Sequence, residues 1–230
     1  MVCLQTMREI TLPETGPKRK LFDAATQLFA EKGFEAVSVR HITGLTHANI
    51  ASVNYHFGSR ENLLNLVMVR HLTPITEERL ARIETLDRKW AGKTAPLEEV
   101  LDAFVRPLLS RIQKSGLSEQ AHYRLLGLIF QQQGEQLPVE IASQQQQVSD
   151  RFKRSIEKVL PTVTPDELSW RLHFVVGGVI HLLTHQDMGA GAASMEAALG
   201  KLVRFAAAGL REGVEAEEKV KPGPQAMFDF

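Results

Sequence analysis

The chain is predicted to be all-α, with an N-terminal three-helix helix-turn-helix unit and a larger C-terminal helical domain behind it. Three observations point there. Strand signals are nearly absent across the 230 residues, while helix starts and stops recur throughout. Apolar residues repeat with helical rather than alternating period. The stretch from Ser38 to Leu64 reads as two short helices joined by a tight turn and followed at once by a capped third helix.

Composition sets outer limits. A hydrophobic fraction of 43% and a charged fraction of 23% suit a globular protein with a sizeable core. No run approaches the roughly 18 uninterrupted apolar residues of a membrane span. Arg8, Glu9 and Glu14 break up the first residues where a secretory signal would be apolar, so a cytoplasmic protein is expected. One cysteine, Cys3, excludes an intrachain disulfide and a multi-cysteine zinc site. Net charge is zero, but residues 17–70 carry seven Lys/Arg against four acids, and residues 71–230 carry 19 against 21. A basic head on a slightly acidic body fits a nucleic-acid partner for the head alone.

The elements follow in order. Gly16 and Pro17 open a first helix, with proline where its missing N–H costs nothing. Leu21, Ala24, Ala25, Leu28 and Phe29 form its apolar stripe, and Gly33 stops it, with Phe34 packing back. Ser38 and Asn49 are the next N-cap candidates, and Ser59 caps a connecting helix whose Leu63, Leu64, Leu66 and Val67 face inward. Pro74 is expected to kink or end that helix near residues 71–73. About five more helices are read from caps and period. They run from Pro96 to about Ser115 with a kink at Pro107, from Ser118 to about Gln133, and from Val139 to about Leu160. The fourth opens on a capping box at Thr164, Pro165, Asp166 and Glu167 and reaches about Met188, and the last runs from Ser194 to about Glu212. Gly134 stops one of them, and Gly189, Ala190 and Gly191 link the last two. The expected organisation is a flexible arm at 1–16, a DNA-binding head at 17–64, a further helical domain at 65–213, and a disordered tail at 214–230.

A recognition helix presents short polar groups to base edges while its neighbours grip phosphate. Ile50, Val53 and Phe57 lie at helical spacing and are expected to pack on Ile42 and Leu45. Asn49, Ala51, Ser52, Asn54, Tyr55 and His56 then face outward. Asn54 can read adenine bidentately, Ser52 is a permissive donor, and Ala51 allows close approach or meets a thymine methyl. Tyr55 and His56 suit phosphate, and Ser38 and Arg60 stand at helix starts where phosphate is also welcome. Arg40 and His47 complete the expected DNA-facing set.

The segment from Lys20 to Leu64 resembles the N-terminal domain of the TetR family of bacterial transcriptional regulators. The resemblance rests on Ala24, Ala25, Leu28, Phe29, Lys32, Gly33, Phe34, Ser38, Ile42, Asn49, Ala51, Ser52, Tyr55, His56, Phe57, Ser59, Arg60, Glu61, Leu63 and Leu64 at maintained spacing. It implies backbone contacts by Ser38, Tyr55, His56 and Arg60. One departure stands out: the family's Ala-Gly-Val turn is here Thr46, His47 and Ala48. Histidine would have to adopt a positive φ that glycine adopts freely, so a slightly strained turn is expected.

The resemblance further implies a double-stranded DNA operator, a homodimer and a small-molecule effector bound by the helical domain. The dimer surface is expected on the last two helices, through Trp170, Phe174, Gly178, His181 and Leu182 on one and Leu199, Leu202, Phe205 and Ala206 on the other. Their apolar surface extends further around each helix than one core-facing stripe requires. The effector pocket is expected among Phe104, Leu108, His122, Leu125, Phe130, Phe152, His173 and Phe174, which suggests an apolar ligand. Arg106, His122, Arg124 and His173 are available should the ligand carry an acid. Tyr123 to Leu128, with Trp170, Arg171, His173 and Phe174, loosely resembles regulators of the PsrA type, which implies a fatty-acid or acyl effector. His181 and His185 share a helical face at a zinc-compatible spacing but lack an evident third ligand, so no metal and no cofactor are expected. There is no glycine-rich phosphate loop or nucleophile elbow, and an enzyme is not expected. The expected function is a ligand-responsive repressor. The alternative is a helical ligand-binding or interaction module with weak or no specific DNA binding.

Overall fold

A computed structural model describes residues 12–109, 115–132, 137–185 and 194–212. Nine α-helices and no strands occur among them. The head holds α1 (Pro17–Lys32), α2 (Val39–Thr46) and α3 (Ala51–Phe57). A 30-residue helix, α4 (Arg60–Lys89), leaves the head and enters the body. The body adds α5 (Leu97–Val105), a 3-10 turn at Arg106–Leu109, α6 (Glu119–Gln131), α7 (Val139–Val159), α8 (Pro165–Thr184) and α9 (Met195–Arg211).

Local chemistry sets most boundaries. Pro17 opens α1 behind Gly16, and Gly33 ends it at φ 80°, its N–H bonded to the Phe29 carbonyl. Phe34 folds back edge-on against Phe29 at 5.7 Å between ring centres. The hydroxyls of Ser38, Ser59, Ser118, Thr164 and Ser194 each accept the backbone N–H three residues on. Each such cap stabilises its helix by about 1 kcal/mol. At Thr164 only half of the expected capping box forms, because the Glu167 carboxylate turns to Arg171 at 2.6 Å instead.

Two tertiary arrangements position the functional regions. The head packs as a tripod: Leu21, Ala25 and Phe29 of α1 meet Ile42 of α2, Val53 and Phe57 of α3 and Leu63 of α4, all buried. The head also touches the body twice, through continuous α4 and through packing of α1 on α6. In the body α7 lies along α4, α6 on α8, α8 on α9, and α9 on α5. The α6–α8 contact is close: a Cβ on Gly127 would stand 2.5 Å from Thr184 Cγ2 and 3.2 Å from Leu183 Cβ.

Several expectations are corrected. Pro74 neither ends nor divides α4, which continues 15 residues beyond it. An interior proline costs about 3 kcal/mol. Burial of Leu66, Met68 and Leu72 before it and Ile75 and Ile83 after it offsets that cost. The helix expected from Pro96 to Ser115 ends at Val105, where Pro107 enforces a 3-10 turn. Leu64 is only half-buried, and α8 stops at Thr184 rather than near Met188. Gln133, Gly134, Met188, the link at 189–191, residues 1–11 of the arm and the tail at 214–230 lie outside the described residues.

Candidate nucleic-acid interface and effector core

The outward face of α3 carries the predicted reader. Asn54 and Tyr55 are exposed, Tyr55 to 86%, while Val53 and Phe57 on the inner face of the helix are buried. Tyr55 and His56 meet edge-on at 5.0 Å, His56 half-buried against the head and Tyr55 projecting. Asn49 does not cap α3 in the usual register. Its Oδ1 accepts the Ala51 N–H at 2.9 Å, a bond two residues along that fixes the turn into α3 and keeps Asn49 exposed. Ala51 is exposed and Ser52 half-buried. Leu45 and Ile50 were expected inside but are 52% and 49% exposed. Two helices this short have few inward positions, which Ile42, Thr43, Val53 and Phe57 occupy.

At the start of α2, exposed Ser38 accepts the His41 N–H while His41 Nδ1 accepts the Ser38 N–H, a reciprocal capping box. The Ser38 hydroxyl proton stays available to an outside acceptor, and Arg40 is exposed beside it. The turn is as unusual as the sequence suggests. His47 has φ 52° and ψ 31°, the one non-glycine residue at positive φ among those described. It is exposed, and its N–H bonds the Thr43 carbonyl.

Arg60 is a correction. Its guanidinium does not reach outward but folds over Phe29 at 5.6 Å and donates to the main-chain carbonyls of Val37, at 2.5 Å, and Phe34. Glu61 lies 3.5 Å away. Arg60 therefore braces the loop between α1 and α2, and Ser38 is held by that loop.

The predicted pocket residues separate. Phe104 stacks on Phe152 at 4.4 Å, and Leu108, His122 and Leu125 are buried near Phe130 in the body core. His173 and Phe174 are not with them. They lie on the open side of α8, where Phe174 is 63% exposed. Of the cations expected to meet an acid, Arg106 is bound at the surface by Asp102 and Glu196, and Arg124 is exposed. Only His122 lies inside, 2% exposed, with neither ring nitrogen hydrogen-bonded. Its ring is 5.9 Å from that of half-buried His71. Burial holds the His122 imidazole down to about 4, and burial reinforced by His122 does the same to His71.

The residue that sequence reasoning missed is Arg79, 1% exposed. Its guanidinium sits 4.0 Å over Phe104 and 5.4 Å from Phe130, and its Nε donates to the Phe104 carbonyl at 2.8 Å. Burial lowers its pKa to about 9, so it keeps its charge at neutral pH. A signal was present: Leu72, Ile75, Thr76, Arg79 and Ile83 form one buried helical stripe.

On the dimer candidates, Trp170, Phe174 and His181 are exposed along α8, and Phe205 on α9 is 78% exposed. Trp170 meets Phe174 edge-on at 5.3 Å. Gly178, with Leu182 half-buried on the same helix, faces half-buried Leu202, 3.0 Å from where its Cβ would stand. Leu199 and Ala206 are corrected: both are buried within the protomer. His181 and His185 stack at 4.5 Å, and no group of three metal-ligating side chains occurs among the described residues. No described helix is long and apolar enough to cross a membrane.

An exposed polar helix on a buried tripod, joined by one long helix to an α-helical body, defines a helix-turn-helix regulator. Residues 21–67 match the family described as bacterial regulatory proteins, tetR family, and residues 102–209 match the tetracyclin repressor-like C-terminal domain. The two matches together span well over half of the sequence, and the chain belongs to the TetR family of transcriptional regulators. Among solved structures, a TetR-like regulator from a Rhodococcus species is 18% identical at TM-score 0.58, covering 88% of this chain and all of its own, 100%. PfmR of Thermus thermophilus is 17% identical at TM-score 0.55, covering 85% of this chain and 99% of its own. AmtR of Mycobacterium smegmatis is 15% identical at TM-score 0.54, with 85% and 88% covered. At these identities the likeness is one of fold. No curated protein matches the chain by sequence.

Proposed function

We propose that this regulator is a homodimeric, ligand-responsive repressor whose α3 helices read successive major grooves of a roughly palindromic operator. The observation that carries the reading is the face of α3, where Asn54 and Tyr55 stand exposed over buried Val53 and Phe57. Asn54 suits an adenine edge, and Ala51 with exposed Ile50 suits thymine methyls. Tyr55, His56, Ser38 and Arg40 grip phosphate, with His47 at the turn. The division is a DNA-reading head at 17–64 and an effector and dimerisation body behind it. Trp170, Phe174, His181 and Phe205 would be covered by the partner protomer, since monomers rarely leave three large aromatic groups open. A small apolar effector, with fatty-acid or acyl compounds as one class, would bind in the body and shift the spacing of the heads.

The test is a gel shift with the DNA flanking the protein's own gene, run across salt concentrations. Sequence-specific binding with a steep salt slope is expected, and Asn54→Ala should lose roughly tenfold or more at the site while keeping nonspecific binding. Equal binding of operator and random DNA by the wild type would favour a ligand-binding module without specific DNA recognition. Sedimentation should give a dimer, and Phe205→Asp a monomer.

A further inference from the structure

Arg60 and Arg79 lie on the same helix, and both fold over phenylalanine and donate to main-chain carbonyls, yet their surroundings differ. Arg60 has two carbonyl acceptors, a carboxylate at 3.5 Å and partial exposure. Arg79 has the Phe104 carbonyl as its one hydrogen-bond acceptor and meets no carboxylate among the described residues. A guanidinium has five N–H donors in a planar fork that matches a carboxylate. A buried charge with one carbonyl acceptor and no counter-ion is costly to the free protein. The surroundings are aromatic: Phe104 and Phe130 hold the guanidinium, and Phe152 stacks behind Phe104.

The core carries a second buried polar group, His122, and neither of its ring nitrogens has a hydrogen-bond partner. His122 is on α6 with Phe130, and the two are eight residues apart, as are His71 and Arg79 on α4. His71 lies against His122 and Arg79 against Phe130, so α4 and α6 meet at two points. Eight residues at 1.5 Å each span about 12 Å of either helix between these two points. In the stretches between these points Leu125, Leu126 and Ile129 of α6 and Leu72 and Ile75 of α4 are buried.

We propose that Arg79 is the anion receptor of the effector site, taking the carboxylate of an organic acid whose apolar body lies among Phe104, Phe130 and Phe152, with His122 offering a hydrogen bond to a polar group further along. The proposal rests on the ligand-responsive reading above and specifies its ligand class. The carboxylate would accept two parallel N–H bonds from the guanidinium fork. Neutralising the charge where α4, α5 and α6 converge then joins the acid to two helices that touch the head.

The test uses the full-length protein and four probes: phenylacetate and octanoate, which separate ring-bearing from acyl bodies, and the neutral amide of each. Thermal shift and calorimetry should show at least one acid binding while its amide does not. Arg79→Met should weaken that acid by ~30-fold, the loss expected for a charge-assisted pair at about 2 kcal/mol. It should also melt higher than the wild type without ligand, because it removes an uncompensated buried charge. A purely structural Arg79, closing the end of α5 through Phe104, predicts the opposite melting shift and equal acid binding in both proteins, and that result overturns the proposal. Amides binding as well as acids overturn it too, while the ligand-responsive reading survives. Binding of none of the four overturns the acid class. In that case, co-purified neutral ligand in native mass spectrometry preserves the wider reading, and DNA affinity unchanged by any bound ligand defeats it. Should Arg79→Met fail to fold, Arg79→Lys keeps the charge but loses the fork, and it should fold and bind the acid more weakly than wild type.

Discussion

The head and the body use buried polar groups in opposite ways. In the head nearly every such group finds a local partner: Thr43 and Thr46 bond carbonyls one turn back, Ser38 and His41 cap each other, and Arg60 takes two loop carbonyls. The polar groups left over point outward on α3. In the body His122 is buried with neither ring nitrogen hydrogen-bonded, and Arg79, 1% exposed, has one carbonyl acceptor and no carboxylate partner. A surface that reads a large external partner can be rigid and internally complete. An interior that is polar and incomplete gains stability when something fills it.

The contrast can be broken most forcefully with acid. His71 and His122 are neutral in the fold, both held down to about 4, whereas the unfolded chain protonates them near 6.5. Their stabilising contribution is whole above about 6.5 and lost as the pH falls towards 4, because the unfolded state takes up protons first. For buried His122 the loss is on the order of 3 kcal/mol. Urea unfolding between pH 7 and pH 4.5 should show it, and His122→Phe should flatten the slope; an unchanged slope would remove His122 from the account. Arg60→Ala comes next. It deprives the α1–α2 loop of both hydrogen bonds and should lower stability by about 2–3 kcal/mol. DNA affinity should fall with the loosening of Ser38 rather than through loss of a phosphate contact. If Arg60→Ala instead reduced the salt slope with stability intact, the inward orientation would not be the one that matters on DNA.

Gly127→Ala is a smaller perturbation. The added methyl gains about 1 kcal/mol in helix propensity. It must also displace Thr184, and overpacking of this kind costs about 1–3 kcal/mol, so a net loss of around 1 kcal/mol is expected. A higher melting temperature would show that α6 and α8 can separate freely. The smallest effect is expected at the turn. His47→Gly relieves a left-handed conformation and should stabilise the head by up to ~1 kcal/mol, read by thermal melting. A loss of stability would mean that the imidazole contributes more than its backbone costs.

These comparisons also explain what the sequence could reveal. Ser38, Ser59, Ser118, Thr164 and Ser194 cap helices through bonds spanning three residues, so their effect is written locally. The α1 stripe and the exposed face of α3 were legible for the same reason, and the histidine standing where the TetR pattern has glycine pointed to the positive φ at His47. Pro74 misled because a local rule lost to packing on both sides of it. Ending α4 there hid the stripe that carries Arg79. Gly127 carries meaning only once α8 lies against α6, and Leu199 and Ala206 look like interface until α9 is seen to bury them. Partners distant in sequence leave no local trace.

Pro74 has a mechanical consequence. It contributes no N–H to the Arg70 carbonyl, so the rod is weakest there. Arg60 lies 14 residues to one side, about 21 Å of helix, and Arg79 five residues to the other, about 7.5 Å. With Pro74 as fulcrum, α4 is a lever with unequal arms. A displacement at the guanidinium would reappear nearly threefold larger at Arg60, where α4 joins the head.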